Sequence, residues 1–580
     1  MTAATSSRTH KMREELDQLG ILTRHFFGRL FRNDVVDFED EMKARLVAVL
    51  SVLAIIIGWS SQMLLFKYNF APDANLSWQE KNIVFMLMMI IFGIITLLEW
   101  EMLFPDRQDF VNLTPLPIRL RTVFSAKLAS FIVFIGLFSV AMNSISSVVF
   151  SLYLAQWRSN SLAFMVRYVF AHLVSSFAAC FCVFFACVFI NFFLMAVLPP
   201  AFYRRISLFV RFLLITLFVF LLLSFLAGPE SLNSTIRSLA KFKDHGSPII
   251  FRIPTLWFVG LYEVLLGTKD PVFIVQAKTA GLALVLSIGA FGLACALSYL
   301  KHIRTTLETA KRPQRLLWLR ESLSGILQKA ILWSPEERAM AGFFSKTVRS
   351  SPRHRVALAN CMAIGAGLVM LLIVANRQNV RALTPDNSLF LAQSLMLYIV
   401  LLIGLRVVVD MPAALESNWV FRATESARRG RYISGLKKTI FFNWLLPLSI
   451  LVFLVHLWLW ADWRSAFNHA VFGLVISALG IEALFFRFRK IPFASSHVPG
   501  KLKLQTRGVL YLLGFIALLA VLSFIEKGLL INPSYFWLFF VISAISWVLL
   551  RMNSARFLKD NPLIYEEEPE PAMVVFPDNV

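Results

Sequence analysis

The chain has 580 residues, 58% of them hydrophobic and only 16% charged, and its mean hydropathy is +0.68. Soluble domains hold about 45–50% apolar and about 25% charged residues, so this chain has too few polar side chains to cover a water-soluble globule of its size. Its net charge of +22 does not point to nucleic acid, because Lys and Arg collect between long apolar runs and no basic run is interleaved with base-stacking aromatics.

In chain order, the N-terminal region is polar, including "RTHKMREELDQ", with no apolar core ahead of a small-residue cleavage site. Targeting is therefore expected to come from the first spanning helix. Leu19, Leu22, Phe26, Phe27 and Leu30 then fall at helical spacing with Arg24, Arg29 and Arg32 among them, which predicts a basic amphipathic helix lying in the inner interface. A spanning helix needs about 20 mainly apolar residues. Twelve stretches qualify: 45–66, 83–103, 128–153, 166–197, 206–228, 276–300, 356–375, 389–409, 439–461, 465–486, 508–526 and 534–552. The fourth is longer than a bilayer requires and is expected to tilt or project. Most of the 57 Lys and Arg lie in segments that become cytoplasmic if the chain starts inside and crosses twelve times, so both termini are assigned to the cytoplasm.

The pattern predicts an all-α, polytopic membrane protein of about twelve transmembrane helices in two parallel six-helix repeats. The divisions are a cytoplasmic N-terminal segment (1–44), a first membrane half (45–300) and a basic linker with a second amphipathic helix (301–355). A second membrane half (356–553) and an acidic cytoplasmic tail (554–580) complete the chain. Two echoes motivate the repeat. Leu316, Leu319, Leu323, Ile326 and Leu327, followed by "AGFFSKTVRSSPRHR", mirror the first amphipathic segment with its "RHFFGRLFRND". The loop after the second span of each half reads "FPDRQDFVNLTPLPIRLRTVFSAK" and "MPAALESNWVFRATESARRGRYISGLKK": Pro first, then acidic, then basic, ending at Lys. Parallel repeats about an axis along the membrane normal are a transporter signature.

In the first of these loops Asp106, Arg107, Asp109, Arg119 and Arg121 surround Pro115 and Pro117. In the second, Glu416, Arg422, Glu425, Arg428 and Arg429 occupy similar places. On the outer side, the connection 229–275 contains "SPIIFRIPTLWFVGLYEVLLG", with Pro254, Trp257, Phe258, Tyr262 and Glu263. This stretch is too short to cross and reads as re-entrant or interfacial, with Trp257, Phe258 and Tyr262 suited to an outer aromatic belt. The matching loop of the second half, near Lys527, is very short.

Catalytic patterns are missing from the sequence. It has no GxxxxGK[ST] phosphate loop, no HExxH and no GxSxG. The expectation is a chain that is not an enzyme and holds no cofactor or metal. Cys180, Cys182, Cys187, Cys295 and Cys361 all lie in apolar runs, and their spacing matches no zinc pattern, so they read as packing residues. His172 reads as a hydrogen-bonded core histidine rather than a proton carrier. Glu99, Glu101, Asp410 and Glu482 lie near inner span ends and Arg167 and Lys278 near outer ends, with none assigned to the midplane. A carrier driven by protons or sodium usually needs buried carboxylates there, which lowers that reading.

The layout resembles the permease subunit of an ABC exporter of the type-2 class, on the strength of the elbow at 14–33, "PDRQDFVNLTPLPIRLRTVFSAK" and "IPTLWFVGLYEVLLG". The second half lacks the long outer loop, a departure from that pattern. The resemblance implies a multi-pass protein of the plasma membrane (the bacterial inner membrane), with two separate ATP-binding-cassette ATPase subunits as partners. ATP and Mg would be bound by those subunits, and the two loops named above would be coupling elements. The lipid bilayer and a transported substrate of unreadable identity complete the expected partners. An ion-coupled secondary transporter and a membrane-embedded enzyme or scaffold remain as alternatives. The topology is directly testable: in a cysteine-free background, single cysteines at Asn75 and Ser234 should label from outside intact cells, and those at Ser324 and Ser495 only after permeabilisation. External labelling at Ser324 would contradict the layout.

Overall fold

A computed structural model describes residues 16–28, 78–100, 118–156, 159, 161–226, 248–307, 331–375, 384–385, 387–413, 418–425, 429–494 and 504–565. Among them every regular element is a helix, and the only β-type contact is an isolated bridge between Lys490 and Ile564. Eleven helices are long and apolar enough to cross a membrane. The protein is thus an all-α, multi-pass membrane protein. The expected first span (45–66), Arg29, Leu30, Arg32 and the 316–327 segment lie outside the described residues. The chain divides into two compact units, Met1–Lys311 and Arg312–Val580.

The first unit begins with α1 (residues 16–28). Its apolar face, Leu22 and Phe26, packs on Val123 and Ala126 at the start of α3 (Leu120–Gln156), with Leu19 alongside. The Lys127 ammonium sits 5.5 Å from the Phe26 ring, a cation–π contact that leaves the charge near the membrane edge. Helix α2 (Trp78–Leu98) and α4 (Leu162–Val197) form the centre of the unit. At 36 residues, α4 is about 54 Å long against a hydrocarbon core of about 30 Å, so it projects beyond the bilayer. Its buried stripe runs Tyr168, Ala171, His172, Ser175, Ser176, Ala179, Cys180, Cys187 and Val188, at helical spacing and rich in small side chains. Small residues let helix backbones approach where lipid offers no hydrophobic drive for association. Cys180, Cys182 and Cys187 are buried free thiols, whereas Cys295 and Cys361 are half-buried. Helices α5 (Pro200–Leu226) and α7 (Pro271–Leu307) flank this centre. Between them in sequence lies α6 (Pro254–Leu266), whose Pro254 occupies the first turn, where a missing N–H costs nothing.

The second unit opens with α8 (Pro335–Ser350), capped by Ser334 Oγ accepting from the Glu337 amide at 3.2 Å. Helices α9 (Pro352–Ala375), α10 (Ser388–Asp410) and the short α11 (Asn418–Ala423) follow. Helix α12 (Gly430–Trp460) is continuous, so the ninth span extends well before residue 439 into the basic segment "GRYISGLKK". A π-turn at Phe441–Leu445 interrupts it just ahead of Pro447. Proline lacks the N–H an α-helix needs and collides with the carbonyl four residues back; the wider turn relieves both. Helices α13 (Trp463–Leu484), α14 (Leu504–Ile531) and α15 (Phe536–Asp560) complete the unit. Lys527 lies inside α14, and the connection expected around it reduces to Asn532 and the turn Pro533–Tyr535.

The amphipathic α8 packs its Met340, Phe344 and Val348 face into the second core. Lys438 Nζ donates to both Glu337 carboxylate oxygens at 2.9 and 2.8 Å, and Ser434 Oγ donates to one at 2.8 Å. Burial alone would push the Glu337 carboxyl up, but these bonds and one from the Trp333 amide hold it below the usual carboxylate range. The two helices touch at Gly435, where an added Cβ would lie 2.5 Å from the Glu337 carbonyl oxygen and 2.7 Å from its Cα. Gly435→Ala is therefore expected to destabilise the purified protein by about 1–3 kcal/mol, the usual scale of overpacking. Gly430→Ala, which meets nothing within 4 Å, should not. Thermal unfolding in detergent, with the two variants compared side by side, checks both.

Candidate functional site

Two regions hold the residues that sequence reasoning singled out. Asp106, Arg107 and Asp109 of the first loop, and Glu416 and Arg428 of the second, lie outside the described residues. Arg119 and Arg121 are exposed at the start of α3, the helix end covered by α1. In the second loop Arg422 is exposed on α11, while Glu425 pairs with Arg429 at 2.6 Å and Tyr432 Oη donates to the Thr424 carbonyl at 2.7 Å. The structure ties Glu425 and Arg429 to each other in a partly exposed ion pair. Beside them α11 exposes Trp419 at 69% and Val420 at 42%. The charges of the loop drew attention away from Trp419, yet a Trp outside a span in the run "SNWVFR" was a usable signal. Asn418 and Phe421 face inward, and Asn418 Nδ2 donates to the Ala494 carbonyl at 2.5 Å.

The outer segment behaves differently from a belt. Within α6, Phe258 and Tyr262 are completely buried inside the first unit, and only Trp257 stays partly open, its Nε1 donating to the Phe251 carbonyl at 2.7 Å. The reason is chemical: Glu263, on the same buried side, meets Lys81 of α2 at 2.5 Å, and the two side chains are 2% and 0% exposed. The Lys81 ammonium also lies 4.3 Å from the centroid of the Tyr262 ring and 4.8 Å from that of Tyr168. Thr268 Oγ1 donates to the second Glu263 oxygen at 3.1 Å. Thr255 Oγ1 donates to Asn82 Oδ1 at 2.5 Å, Ser151 and Tyr262 share a 3.3 Å hydroxyl contact, and Arg167 Nε donates to the Leu265 carbonyl at 2.7 Å. Gly260 allows the closest approach to α7, since a Cβ there would fall 2.9 Å from the Phe273 carbonyl. His172 lies beneath, 3.3 Å from Ser146 Oγ and edge-on to Phe85 and Tyr262, as a packed core histidine.

A second buried cluster occupies the other unit. His469 Nδ1 of α13 meets Glu526 Oε1 of α14 at 2.5 Å, with side chains 1% and 0% exposed. The His456 ring of α12 sits 4.3 Å from that of His469, and Trp460 lies 5.4 Å from it. Below them Tyr398 Oη donates to Ser449 Oγ at 2.6 Å, which donates to the Ala470 carbonyl at 3.0 Å. The sequence reading named none of these residues. At the inner end Lys437 and Glu482 pair at 2.5 Å, and Arg406 and Asp410 also pair at 2.5 Å. Among the described residues no group of three or more His, Cys, Asp or Glu could hold a metal ion.

These arrangements define a multi-pass α-helical membrane protein with paired buried charges. Comparison with family models, curated proteins and solved structures finds no match. The Lys81–Glu263 pair can be weighed by itself. Removing one partner leaves an uncompensated buried charge, so Lys81→Met is expected to destabilise by about 3–5 kcal/mol, whereas Lys81→Met combined with Glu263→Leu should recover most of that loss. Equilibrium unfolding of the single and double variants tests it; equal stability for the two would show that no charge is being compensated.

Proposed function

We propose that the chain is the membrane-spanning permease of an ATP-driven exporter in the bacterial inner membrane, served by two separate ATP-binding-cassette ATPase subunits. The observation that carries the reading is α11, a short helix on the side assigned to the cytoplasm that exposes Trp419, Val420 and Arg422. A large exposed aromatic with an Arg three residues on, outside the apolar runs, has the composition of a protein-docking anchor. Its setting supports the same reading. Helix α11 lies between α10 and the basic start of α12, and α12 is itself braced by α8 through Glu337 and Lys438. A push on α11 would therefore reach two spans. The first unit has a comparable base, with α1 packed on the start of α3 behind Arg119 and Arg121. Because the sequence has no phosphate loop, hydrolysis would fall to the partner subunits.

One observation favours a second reading, an ion-coupled carrier: the buried His469–Glu526 pair within spanning helices. Energy source separates the two. Transport that stops on ATP depletion supports the exporter, and transport that survives depletion but collapses with an ionophore supports the carrier. For the docking surface itself, Trp419→Ala and the double variant Arg119→Glu with Arg121→Glu should insert at normal levels yet weaken ATPase association by at least tenfold. Desolvated anchor and charge contacts at interfaces contribute about 2–5 kcal/mol when lost. Expression level, ATPase co-purification and transport are measured together, and full partner binding by both variants refutes this assignment of the docking surface.

A further inference from the structure

Among the described residues no Lys or Arg pairs with His469 or Glu526, and this sets their contact apart from the Lys81–Glu263 pair. The helix ends nearest to it, Trp463 and Ile531, are the ones that the charge asymmetry assigns to the outside. At a rise of 1.5 Å per residue, both groups lie roughly 8–9 Å below those ends. The groups facing the pair are few. From α12, His456 donates through Nδ1 to the Val452 carbonyl at 2.8 Å, and its Nε2 lies 3.5 Å from Ser394 Oγ. From α10 comes Tyr398, whose Oη is hydrogen-bonded to Ser449 Oγ at 2.6 Å. Asp462 and Arg464 stand at the exposed start of α13, Lys527 follows Glu526 in α14, and Tyr535 is exposed in the connecting turn. The outer half of α15, from Phe536 to Ile545, offers no titratable side chain.

With one proton between them, His469 and Glu526 are neutral as a pair, whether written as imidazolium–carboxylate or imidazole–carboxylic acid. With none, the pair buries a net negative charge, which costs several kcal/mol in a protein interior. The contact also leaves His469 Nε2 and Glu526 Oε2 without hydrogen-bond partners, so water entering the seam would relieve two unsatisfied polar atoms. The apolar cluster holding α14 here joins Leu519 and Leu529 to Leu395, Met396, Phe472 and Phe536, with Phe515, Leu522 and Leu530 packed against it. Most of the other side chains between Leu513 and Ile531 are open to their surroundings.

We propose that His469 and Glu526 form a proton-binding site near the outer end of the second unit, loaded with one shared proton while α13 and α14 are packed together and emptied when they part. On parting, the proton passes to entering water, and the imidazole and carboxylate are left solvated. The site rests on neither reading of the energy source. Its sign follows from proton counts. The open, hydrated pair carries one proton below about pH 6.5 and none above it, from the ordinary histidine value, while the closed pair keeps one. Closing therefore takes up a proton above about pH 6.5, and the open fraction rises by up to tenfold per pH unit in that range. Between about pH 4.3 and 6.5 both states hold one proton and the equilibrium is flat.

The test uses the full-length, otherwise cysteine-free chain in lipid nanodiscs with Leu529→Cys as the probe, because Leu529 is buried in the α14 cluster. Its labelling rate is divided by that of Tyr535→Cys, an exposed site that corrects for thiol ionisation. The corrected rate should be flat from pH 5 to 6.5 and climb by up to tenfold per unit above. Glu526→Gln, whose amide can still donate to His469, should abolish the climb. His469→Gln leaves Glu526 as the proton carrier and should move the onset down from about pH 6.5 to about 4.3. A flat wild-type profile overturns the site, as does an unchanged climb in Glu526→Gln. If Glu526→Gln does not fold, an unmoved onset in His469→Gln overturns it alone.

Discussion

Hydrocarbon supplies no hydrogen bonds, so a polar group that this chain carries below the membrane surface is costly unless it finds a partner within the protein. That constraint arranges the first unit. Lys81 stands near the start of a spanning helix, where an unpaired ammonium would be costly, and Glu263 is 182 positions away in sequence. Joining them draws α6 inward from the outer surface. Asn82 with Thr255, Ser151 with Tyr262 and Arg167 with the Leu265 carbonyl then fix its angle. A helix of 13 residues, about 20 Å long, cannot span the bilayer, and its backbone is satisfied internally. Its aromatic side chains accordingly serve the core of the unit, with Tyr262 and Tyr168 forming two faces of a box around the Lys81 ammonium.

The same constraint is met with different chemistry in the second unit. Lys81 and Glu263 join an amine to a carboxyl in a fully buried contact, which acts as a clamp between α2 and α6. His469 and Glu526 can exist as a neutral acid and base or as an ion pair, and protonation changes the charge of the contact itself. The first unit thus holds a clamp between α2 and α6, and the second a titratable seam between α13 and α14. The connection between α5 and α7 is long, and that between α14 and α15 is a single turn. The units are alike in one further respect. Each packs an amphipathic helix on a later helix of the same unit: Leu22 and Phe26 of α1 on the start of α3, and Glu337 of α8 on Lys438 near the start of α12.

Much of the architecture was legible because it depends on local periodicity and composition. Apolar runs of about 20 residues have few alternatives to a spanning helix, and eleven of the twelve expected runs fall in helices of that kind, the remaining one lying outside the described residues. The second amphipathic helix was expected at 316–327, which lies outside the described residues, while α8 with its Met340, Phe344 and Val348 face follows it within the 301–355 linker. What the sequence left open is which polar side chains meet. Glu526 looks like one more charge near a span end, and His469 like one of nine scattered histidines. Nothing in their spacing of 57 residues distinguishes a buried pair from two solvated groups. Phe258 and Tyr262 were assigned to an aromatic belt for the same reason: an interfacial Tyr and a buried one have the same local sequence.

Sequence by itself thus determined the helical, multi-pass character of the protein, the approximate places of its spanning helices, and the sidedness expected from its basic loops. These follow from interactions between residues near in the chain and from the length a bilayer demands. Only the tertiary structure decided that α6 folds into the first unit, that Glu425 and Arg429 bond to each other while Trp419 is exposed, and that His469 closes on Glu526. Those outcomes depend on contacts between helices far apart in sequence. In a membrane, such contacts are selected by the cost of leaving any one polar group without its partner.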